Sequence, residues 1–253
     1  MNKEVVLEAV KKDGLSLTYA SDELRNDKEV VLEAVKQDGR ALEYASEELK
    51  ADKEIVLEAV KKDGYALGVT SKELSNDKEI VLAAVNNNGY ALKYASEELK
   101  TNREILLVAM KKTGKALKYT SEDVRNDKEI VLEAVKQNGF ALEFASKALK
   151  SDKDIVLAAV KRNGASLEYV NKEIPEYKKI VLEAIKQDRS SLIFINKEMP
   201  EYKEILYGLK IFLVENEKIF PIEYNLLTSY EREDRLNFKL VEKEERTKKK
   251  QKI

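Results

Sequence analysis

The side chains that most often perform catalysis are missing from this sequence, which contains no histidine and no cysteine. Serine–histidine and cysteine–histidine nucleophilic sites and histidine-based zinc sites are therefore excluded. A pair of carboxylates, or a metal held by carboxylates, is the catalytic chemistry that remains. The acidic residues, however, recur in one evenly spaced column: Glu4, Glu29, Glu54, Glu79, Glu104 and Glu129. A catalytic pair should occur once, so we interpret this column as a solvated, helix-capping face and expect no enzyme, no cofactor and no metal site.

Aromatic side chains form a second column, which could serve as a stacking platform for single-stranded nucleic acid. Its members are Tyr19, Tyr44, Tyr94, Tyr119, Phe144, Tyr169 and Phe194. An aromatic residue that occurs once per repeat on a short helix more often packs between neighbouring repeats. We favour this structural interpretation.

A basic column could in the same way follow a phosphate backbone. Its members are Lys36, Lys61, Lys111, Lys136, Lys161 and Lys186, and Lys93, Lys112, Lys115 and Lys118 could extend it. The column lies at helix C-termini, where the helix dipole alone attracts cations. Binding of RNA or DNA is therefore the alternative to binding of a protein, and acidic columns beside the lysines argue against it.

All of these columns come from one repeat without insertions or deletions. A basic residue opens each copy, and these openers follow one another at a constant interval, at Lys3, Lys28, Lys53, Lys78, Arg103, Lys128, Lys153, Lys178 and Lys203. A fixed period of this size marks stacked units that bury their apolar faces only against their neighbours. The sequence therefore predicts a solenoid.

Within the copy from residue 27 to residue 51, Asp27 is a good N-cap and apolar residues follow at helical spacing. These features predict a helix from Lys28 to Gln37 with neighbours on both sides. Gly39 should then end the helix in the left-handed conformation. A second, short helix is expected at residues 40–45, and Ser46 should cap a last turn anchored by Leu49.

These units predict an all-α fold, a right-handed α-solenoid superhelix of two-helix repeats. Residues 2–201 form eight repeats, residues 202–241 a degenerate ninth repeat with a C-terminal helical cap, and residues 242–253 a charged tail that we expect to be disordered. Pro175 should make the helix of the eighth repeat begin slightly early. Arg189 should force that repeat to form its turn without glycine.

Composition narrows the setting of the protein. The 253 residues include 46 basic and 47 acidic side chains, so net charge gives no strong attraction to nucleic acid or membranes. We expect no membrane association, and the lack of cysteine fits a reducing cytoplasm. Val5, Val6 and Leu17 have no preceding repeat to cover them, which suggests a homodimer through the first repeat.

The repeated residues D(K/R)E(I/V)VLxAVxx(N/D)GxALxYASxxL resemble the tandem repeats of domain of unknown function 4116, over residues 2 to about 200. The resemblance implies a helical-repeat fold and suggests an interaction role, and it defines no catalytic or ligand residue. Such repeats occur in bacterial, viral and protist chains. The partner could therefore be a host or bacterial defence factor that is blocked or recruited.

Comparison of the repeats with one another indicates where a partner would bind. Columns that stay constant are expected to pack, whereas exposed columns that vary are free to be specialised. Repeats three to six carry aromatic and lysine side chains at two variable positions of the short helix. We predict that the contact face contains Tyr65, Tyr90, Lys93, Lys115, Lys118 and Phe140. The sequence thus predicts a protein-binding scaffold, with a role as inhibitor or adaptor.

Overall fold

A computed structural model describes residues 2–200 together with Tyr202, Lys203 and Ile205. We number the repeats from 1, which spans residues 2–26, to 8, which spans residues 177–201. The predicted ninth repeat and cap (202–241) and the predicted tail (242–253) otherwise lie outside the described residues.

Each repeat begins with a long α-helix, as the apolar spacing predicts. Seven of the helices in the described part have 10 residues and the eighth has 11. The helices span Lys3–Lys12, Lys28–Gln37, Lys53–Lys62, Lys78–Asn87, Arg103–Lys112, Lys128–Gln137, Lys153–Arg162 and Tyr177–Gln187. The last begins one position early relative to the others, which confirms the effect expected from the preceding Pro175.

Aspartate side chains fix where these helices begin. Asp27 Oδ1 accepts hydrogen bonds from the backbone N–H groups of Glu29 and Val30, at 3.1 and 3.2 Å. These donors would otherwise have no partner within the helix. The same arrangement recurs at Asp52, Asp77, Asp127 and Asp152.

The second helix of each repeat is a 3-10 helix and starts one residue earlier than predicted. In repeat 2 it spans Gly39–Tyr44, and the Ala41 N–H donates to the Asp38 carbonyl three residues back, at 2.9 Å. The others span Gly14–Tyr19, Gly64–Val69, Gly89–Tyr94, Gly114–Tyr119, Gly139–Phe144, Gly164–Tyr169 and Arg189–Phe194. At three residues per turn, the six residues of such a helix make two turns.

A short connector closes most repeats. Ser46 Oγ accepts from the Leu49 N–H at 3.2 Å, as predicted, and Leu49 is buried. The connector is a four-residue α-helix at Asp22–Arg25 and Glu122–Arg125, and a three-residue 3-10 helix at Leu49–Ala51, Leu74–Asn76, Leu99–Thr101 and Leu149–Ser151.

The repeats stack so that long helix packs on long helix and 3-10 helix on 3-10 helix. Val30, Val31, Ala34 and Val35 of one long helix are all fully buried, because neighbours cover it on both sides. Of the three apolar residues of the first repeat that were predicted to lack cover, only Val5 is exposed, at 55%, whereas Val6 and Leu17 are buried. The prediction that all three lack cover was wrong, since Val6 and Leu17 belong to the core shared with the rest of the array.

The repeated glycine serves a different purpose from the one predicted. No described glycine has a positive φ angle; instead, each comes close to the next repeat. A Cβ atom on Gly39 would lie 2.4 Å from the Ala59 carbonyl oxygen, too close for any other residue without backbone movement. Repeat 8, which has Arg189 at this position, still forms its 3-10 helix because that helix needs no left-handed residue.

The described chain is therefore an all-α repeat solenoid, and its right-handed superhelix stays a prediction. No helix among the described residues combines the length and the apolar character that crossing a bilayer requires.

Candidate partner-binding face

The 3-10 helices place a row of rings and ammonium groups on one side of repeats 3 to 6. We call this row the aromatic–lysine face; it consists of Tyr65, Tyr90, Lys93, Tyr94, Lys115, Lys118, Tyr119 and Phe140. Tyr65, Tyr90, Lys115 and Phe140 each follow the repeated glycine directly, and Lys93 and Lys118 come three positions later. Because these positions recur in every repeat, side chains of one repeat lie next to those of the following repeat.

At the boundary between repeats 3 and 4, Tyr65 meets Tyr94 edge to face, with ring centroids 6.3 Å apart and an interplanar angle of 83°. Lys93 Nζ lies 5.0 Å from the centroid of the Tyr94 ring. Gly68 makes this contact possible, because a Cβ atom there would come within 2.8 Å of the Tyr94 ring. Tyr65 remains 44% exposed.

The boundary between repeats 4 and 5 repeats the motif one step along. Tyr90 and Tyr119 also meet edge to face, at 6.1 Å and 83°. Lys118 Nζ lies 5.3 Å from the Tyr90 centroid and 4.7 Å from the Tyr119 centroid. A hydrogen-bonding interaction with Tyr119 raises the pKa of Lys118, so this lysine is protonated at neutral pH.

At the boundary between repeats 5 and 6 a phenylalanine takes the place of the tyrosine. Lys115 Nζ lies 5.2 Å from the centroid of the Phe140 ring. The rings and lysines thus make three successive contacts, one at each boundary. Aromatic groups bordered by polar side chains are typical of surfaces that bind other molecules.

The structure brings the six predicted residues into this one row, although whether a partner binds there stays a prediction. The prediction omitted Tyr94 and Tyr119, which form the other half of each ring pair. The signal was present in the sequence, because Tyr94 follows Tyr65, and Tyr119 follows Tyr90, by one repeat plus about one helical turn.

The aromatic column mostly packs against the core, which confirms the structural interpretation for most of its members. The partly buried members are Tyr44, Tyr94, Phe144, Tyr169 and Phe194. Tyr19 differs, being 78% exposed.

The acidic column is more than a capping face. Lys28 Nζ lies 2.8 Å from both Asp52 Oδ2 and Glu54 Oε2 of the following repeat. We call the series of such contacts the ion-pair ladder; its basic members are Lys3, Lys28, Lys53, Lys78, Arg103 and Lys128. It is interrupted between repeats 7 and 8, where Tyr177 and Lys179 take the places of the acidic residues that would face Lys153.

The basic column does not form the free stripe that a phosphate backbone would need. Lys36, Lys61 and Lys136 each pair with a glutamate three residues earlier, at 2.9 to 3.2 Å. Lys111 and Lys161 follow Val108 and Ala158 at that position. No group of three or more acidic side chains in the described part is placed to hold a metal ion.

Stacked two-helix units that bury one shared core define the class of this protein as an α-helical tandem-repeat solenoid. The family model for domain of unknown function DUF4116 matches residues 2–50, 52–100, 102–150 and 152–200, and the chain belongs to this family. Comparisons with curated proteins and with solved structures give no match.

Each family match spans two of the helical repeats, and in the first three matches a serine–asparagine hydrogen bond joins the two. Ser96 Oγ donates to Asn76 Oδ1 at 2.5 Å, and Ser146 Oγ to Asn126 Oδ1 at 2.6 Å. Ser46 and Asn26 form the same bond within the first match. At the junctions between the first three matches, Ala51 and Thr101 stand where the asparagine would be. Across the junction between the third and fourth matches the pairing is reversed, with Asn171 Nδ2 donating to Ser151 Oγ at 2.9 Å, so a contact of this kind is not confined to the matched pairs.

Proposed function

We propose that this protein is a non-enzymatic scaffold that binds another protein through the aromatic–lysine face, and that it acts in the cytoplasm as an adaptor or inhibitor. The observation that carries the proposal is the row of three ring contacts across repeats 3 to 6. The other aromatic side chains of the same columns lie against the core or stand alone. Tyr65 is exposed and the other rings of the row are half-buried. Rings held in such a row can supply the apolar anchors of a protein interface.

The residues that pack the repeats together are nearly constant, whereas the residue after the repeated glycine differs from repeat to repeat. Leu15, Arg40 and Ser190 occupy in repeats 1, 2 and 8 the position of Tyr65 and Tyr90. Arg40 is held by its own cap, because its Nη2 lies 2.5 Å from Asp38 Oδ2. Specialisation is thus confined to the middle of the array, as expected for an extended surface that contacts its partner centrally.

A second candidate function, binding of RNA or DNA, is favoured by the lysines that lie against tyrosine rings at the middle of the face. Base stacking on aromatic rings beside cations is how single strands are bound without sequence preference. We rank it below protein binding because acidic side chains interrupt the basic positions.

The test is capture of partners from a lysate of the source cells with the purified chain, with and without nuclease. It compares the wild type with Tyr65→Ala/Tyr90→Ala/Phe140→Ala. A matched control, Leu15→Ala/Arg40→Ala/Ser190→Ala, changes the same column outside the face. We expect a nuclease-resistant protein that the first variant loses and the control retains, with unchanged helicity.

Two results would contradict the proposal. Equal capture by the face variant and the control would show that the rings take no part. Capture that disappears with nuclease would assign the face to nucleic acid. Light scattering of the free chain, with Val5→Asp as control, separates a homodimer formed through the first repeat from capture of another protein.

A further inference from the structure

Repeat 5 differs from the other repeats in charge. It carries six basic against three acidic side chains, whereas repeat 2 carries four basic against seven acidic. The basic residues of repeat 5 are Arg103, Lys111, Lys112, Lys115, Lys118 and Arg125, and its acidic residues are Glu104, Glu122 and Asp123. Four of its lysines fall within the eight residues 111–118, which begin at the end of the long helix and continue through the 3-10 helix.

Two substitutions relative to other repeats remove the acids that would balance these lysines. Val108 stands where Glu33 pairs with Lys36 in repeat 2. Thr113 stands where Asp38 pairs with Arg40. Within the part of the chain that the structure describes, Lys111, Lys112, Lys115 and Lys118 consequently form no ion pair.

The rings of the aromatic–lysine face hold some of these cations in place without neutralising them. Lys118 lies against Tyr90 and Tyr119, and Lys115 against Phe140. An aromatic ring attracts a cation through its quadrupole but carries no net charge. A ligand with negative charge would therefore meet lysines whose charge no acidic side chain cancels.

We propose that repeat 5 is the anchor of the face and binds an extended acidic segment of the partner protein, with aromatic side chains of that segment packing between the rings. This proposal rests on the proposed function and names the chemistry of its partner. Packed layers lie about 10 Å apart, and an extended chain advances about 3.3 Å per residue. A segment with an aromatic residue at every third position and acids between would therefore match the row repeat by repeat.

A nucleic acid fits these observations less well. Glu143 occupies in repeat 6 the position that Lys118 holds in repeat 5, and Glu168 and Glu43 occupy it in repeats 7 and 2. A phosphate backbone carries one negative charge per nucleotide and would meet these carboxylates on both sides of the lysines. A peptide carries charge only where its sequence places it.

The experiment is fluorescence anisotropy of the full chain with three labelled probes. The first is the peptide Gly-(Glu-Glu-Phe)3-Glu-Glu-Gly, the second is the same peptide with lysine for glutamate, and the third is a single-stranded oligothymidylate of equal length. Each titration is made at low and at high salt. We expect only the acidic peptide to bind, with an affinity that falls as salt screens the contact.

Two charge-reversal variants locate the contact. Lys115→Glu/Lys118→Glu should weaken binding of the acidic peptide by more than about tenfold, because it places carboxylates opposite carboxylates. Lys11→Glu/Lys12→Glu makes the same change of net charge in repeat 1 and should bind as the wild type does. Lys115→Arg/Lys118→Arg keeps the positive charge and should retain binding, which would assign the loss in Lys115→Glu/Lys118→Glu to charge. Circular dichroism checks that each variant folds.

The proposal is overturned if the acidic peptide does not bind, if the oligothymidylate binds more tightly, or if both charge-reversal variants weaken binding equally. These outcomes leave the proposed function open to its own test. Capture of a protein that depends on Tyr65, Tyr90 and Phe140 but survives Lys115→Glu/Lys118→Glu would keep the scaffold and reject the acidic segment.

Discussion

Along the ion-pair ladder a lysine lies between two carboxylates of the next repeat, whereas on the aromatic–lysine face a lysine lies against rings. Lys128 illustrates the first case, with Asp152 and Asp154 at 2.8 and 3.1 Å. Lys118 illustrates the second, with Tyr90 and Tyr119. The two residues are ten positions apart in the sequence. The acids that face Lys128 belong to columns that recur in nearly every repeat, whereas Lys118 lies against rings of the aromatic–lysine face.

This difference teaches how an array of near-identical units can also be specific. Positions that face the neighbouring repeat are nearly fixed, because each must satisfy the same contact in every layer. Positions on the outer side of the 3-10 helix carry no such requirement and differ from repeat to repeat. Three substitutions, ordered by expected effect, test whether the contacts between repeats contribute to the stability of the fold while the aromatic–lysine face does not.

The largest effect is expected from Gly89→Ala, at the contact between repeats. The new Cβ atom would lie 2.4 Å from the Ala109 carbonyl oxygen, which is backbone and cannot turn away. We expect a loss of about 2–3 kcal/mol, measured as a lowered midpoint of urea unfolding by circular dichroism.

Gly68→Ala is the matched control, on the face. Its Cβ atom would meet the half-buried Tyr94 ring at 2.8 Å, and a side chain can shift more readily than backbone. Its midpoint should therefore fall much less. Equal losses at Gly68 and Gly89 would show that the face and the interior of the stack are equally rigid.

An intermediate effect is expected from Asp77→Ala, at the ladder. Asp77 caps its helix at Glu79 and Ile80 and also binds Lys53, at 2.8 Å. Loss of the cap should cost about 1 kcal/mol at neutral pH. Asp77→Asn keeps the capping oxygen and removes only the charge, so it should cost the smaller part of that amount.

The pH dependence separates the two contributions at Asp77. The hydrogen bond from Lys53 lowers the pKa of Asp77 below its ordinary value of 3.8. The stability that the charge adds is therefore complete above this ordinary pKa and is lost as pH falls through the lowered one. The gap between wild type and Asp77→Asn should close in acid, and a gap that stays constant would assign it to the cap.

The smallest effect is expected from Lys118→Met. This lysine has no acidic partner to lose and gives up only its contacts with the Tyr90 and Tyr119 rings, so the unfolding midpoint should stay nearly unchanged. Lys128→Met, the matched change at the ladder, should lower the midpoint a little because Asp152 and Asp154 lose their shared cation. A lower midpoint for Lys118→Met than for Lys128→Met would contradict the division between the two regions.

Much of the fold could be predicted from the sequence, because its causes are local. A constant period, an aspartate before most of the apolar runs and a serine three positions before each anchoring leucine predict the long helices and connectors. The helix predicted from Lys28 to Gln37 has the observed bounds. Each of these features depends on residues a few positions apart, so the sequence displays it directly.

The role of the glycines could not be predicted because it depends on a contact between layers. A glycine after a helix usually marks a left-handed turn. Here Gly39 has ordinary backbone and lies against the Ala59 carbonyl of the following repeat. The distance between the stacked helices, and not the turn itself, requires a residue without a side chain.

The candidate face was predicted in part. Variation among repeats indicated Tyr65, Tyr90 and Phe140, because exposed and variable columns can be recognised in a repeat sequence. It did not indicate that Tyr94 and Tyr119 complete the ring pairs, since both belong to a column that mostly packs. Their double role depends on how one 3-10 helix is offset against the next.

By itself the sequence determined the all-α class, the period, the bounds of the long helix and the absence of histidine and cysteine chemistry, since these depend on residue types and short spacings. The tertiary structure decided which side chains meet across repeats: the ladder, the glycine contact, the serine–asparagine pairing and the row of rings. Those contacts join residues about one repeat apart, and the stacking of the helices sets their geometry. The spacing of two residues in the sequence can suggest such a contact, but the distance between stacked repeats decides whether the two side chains meet.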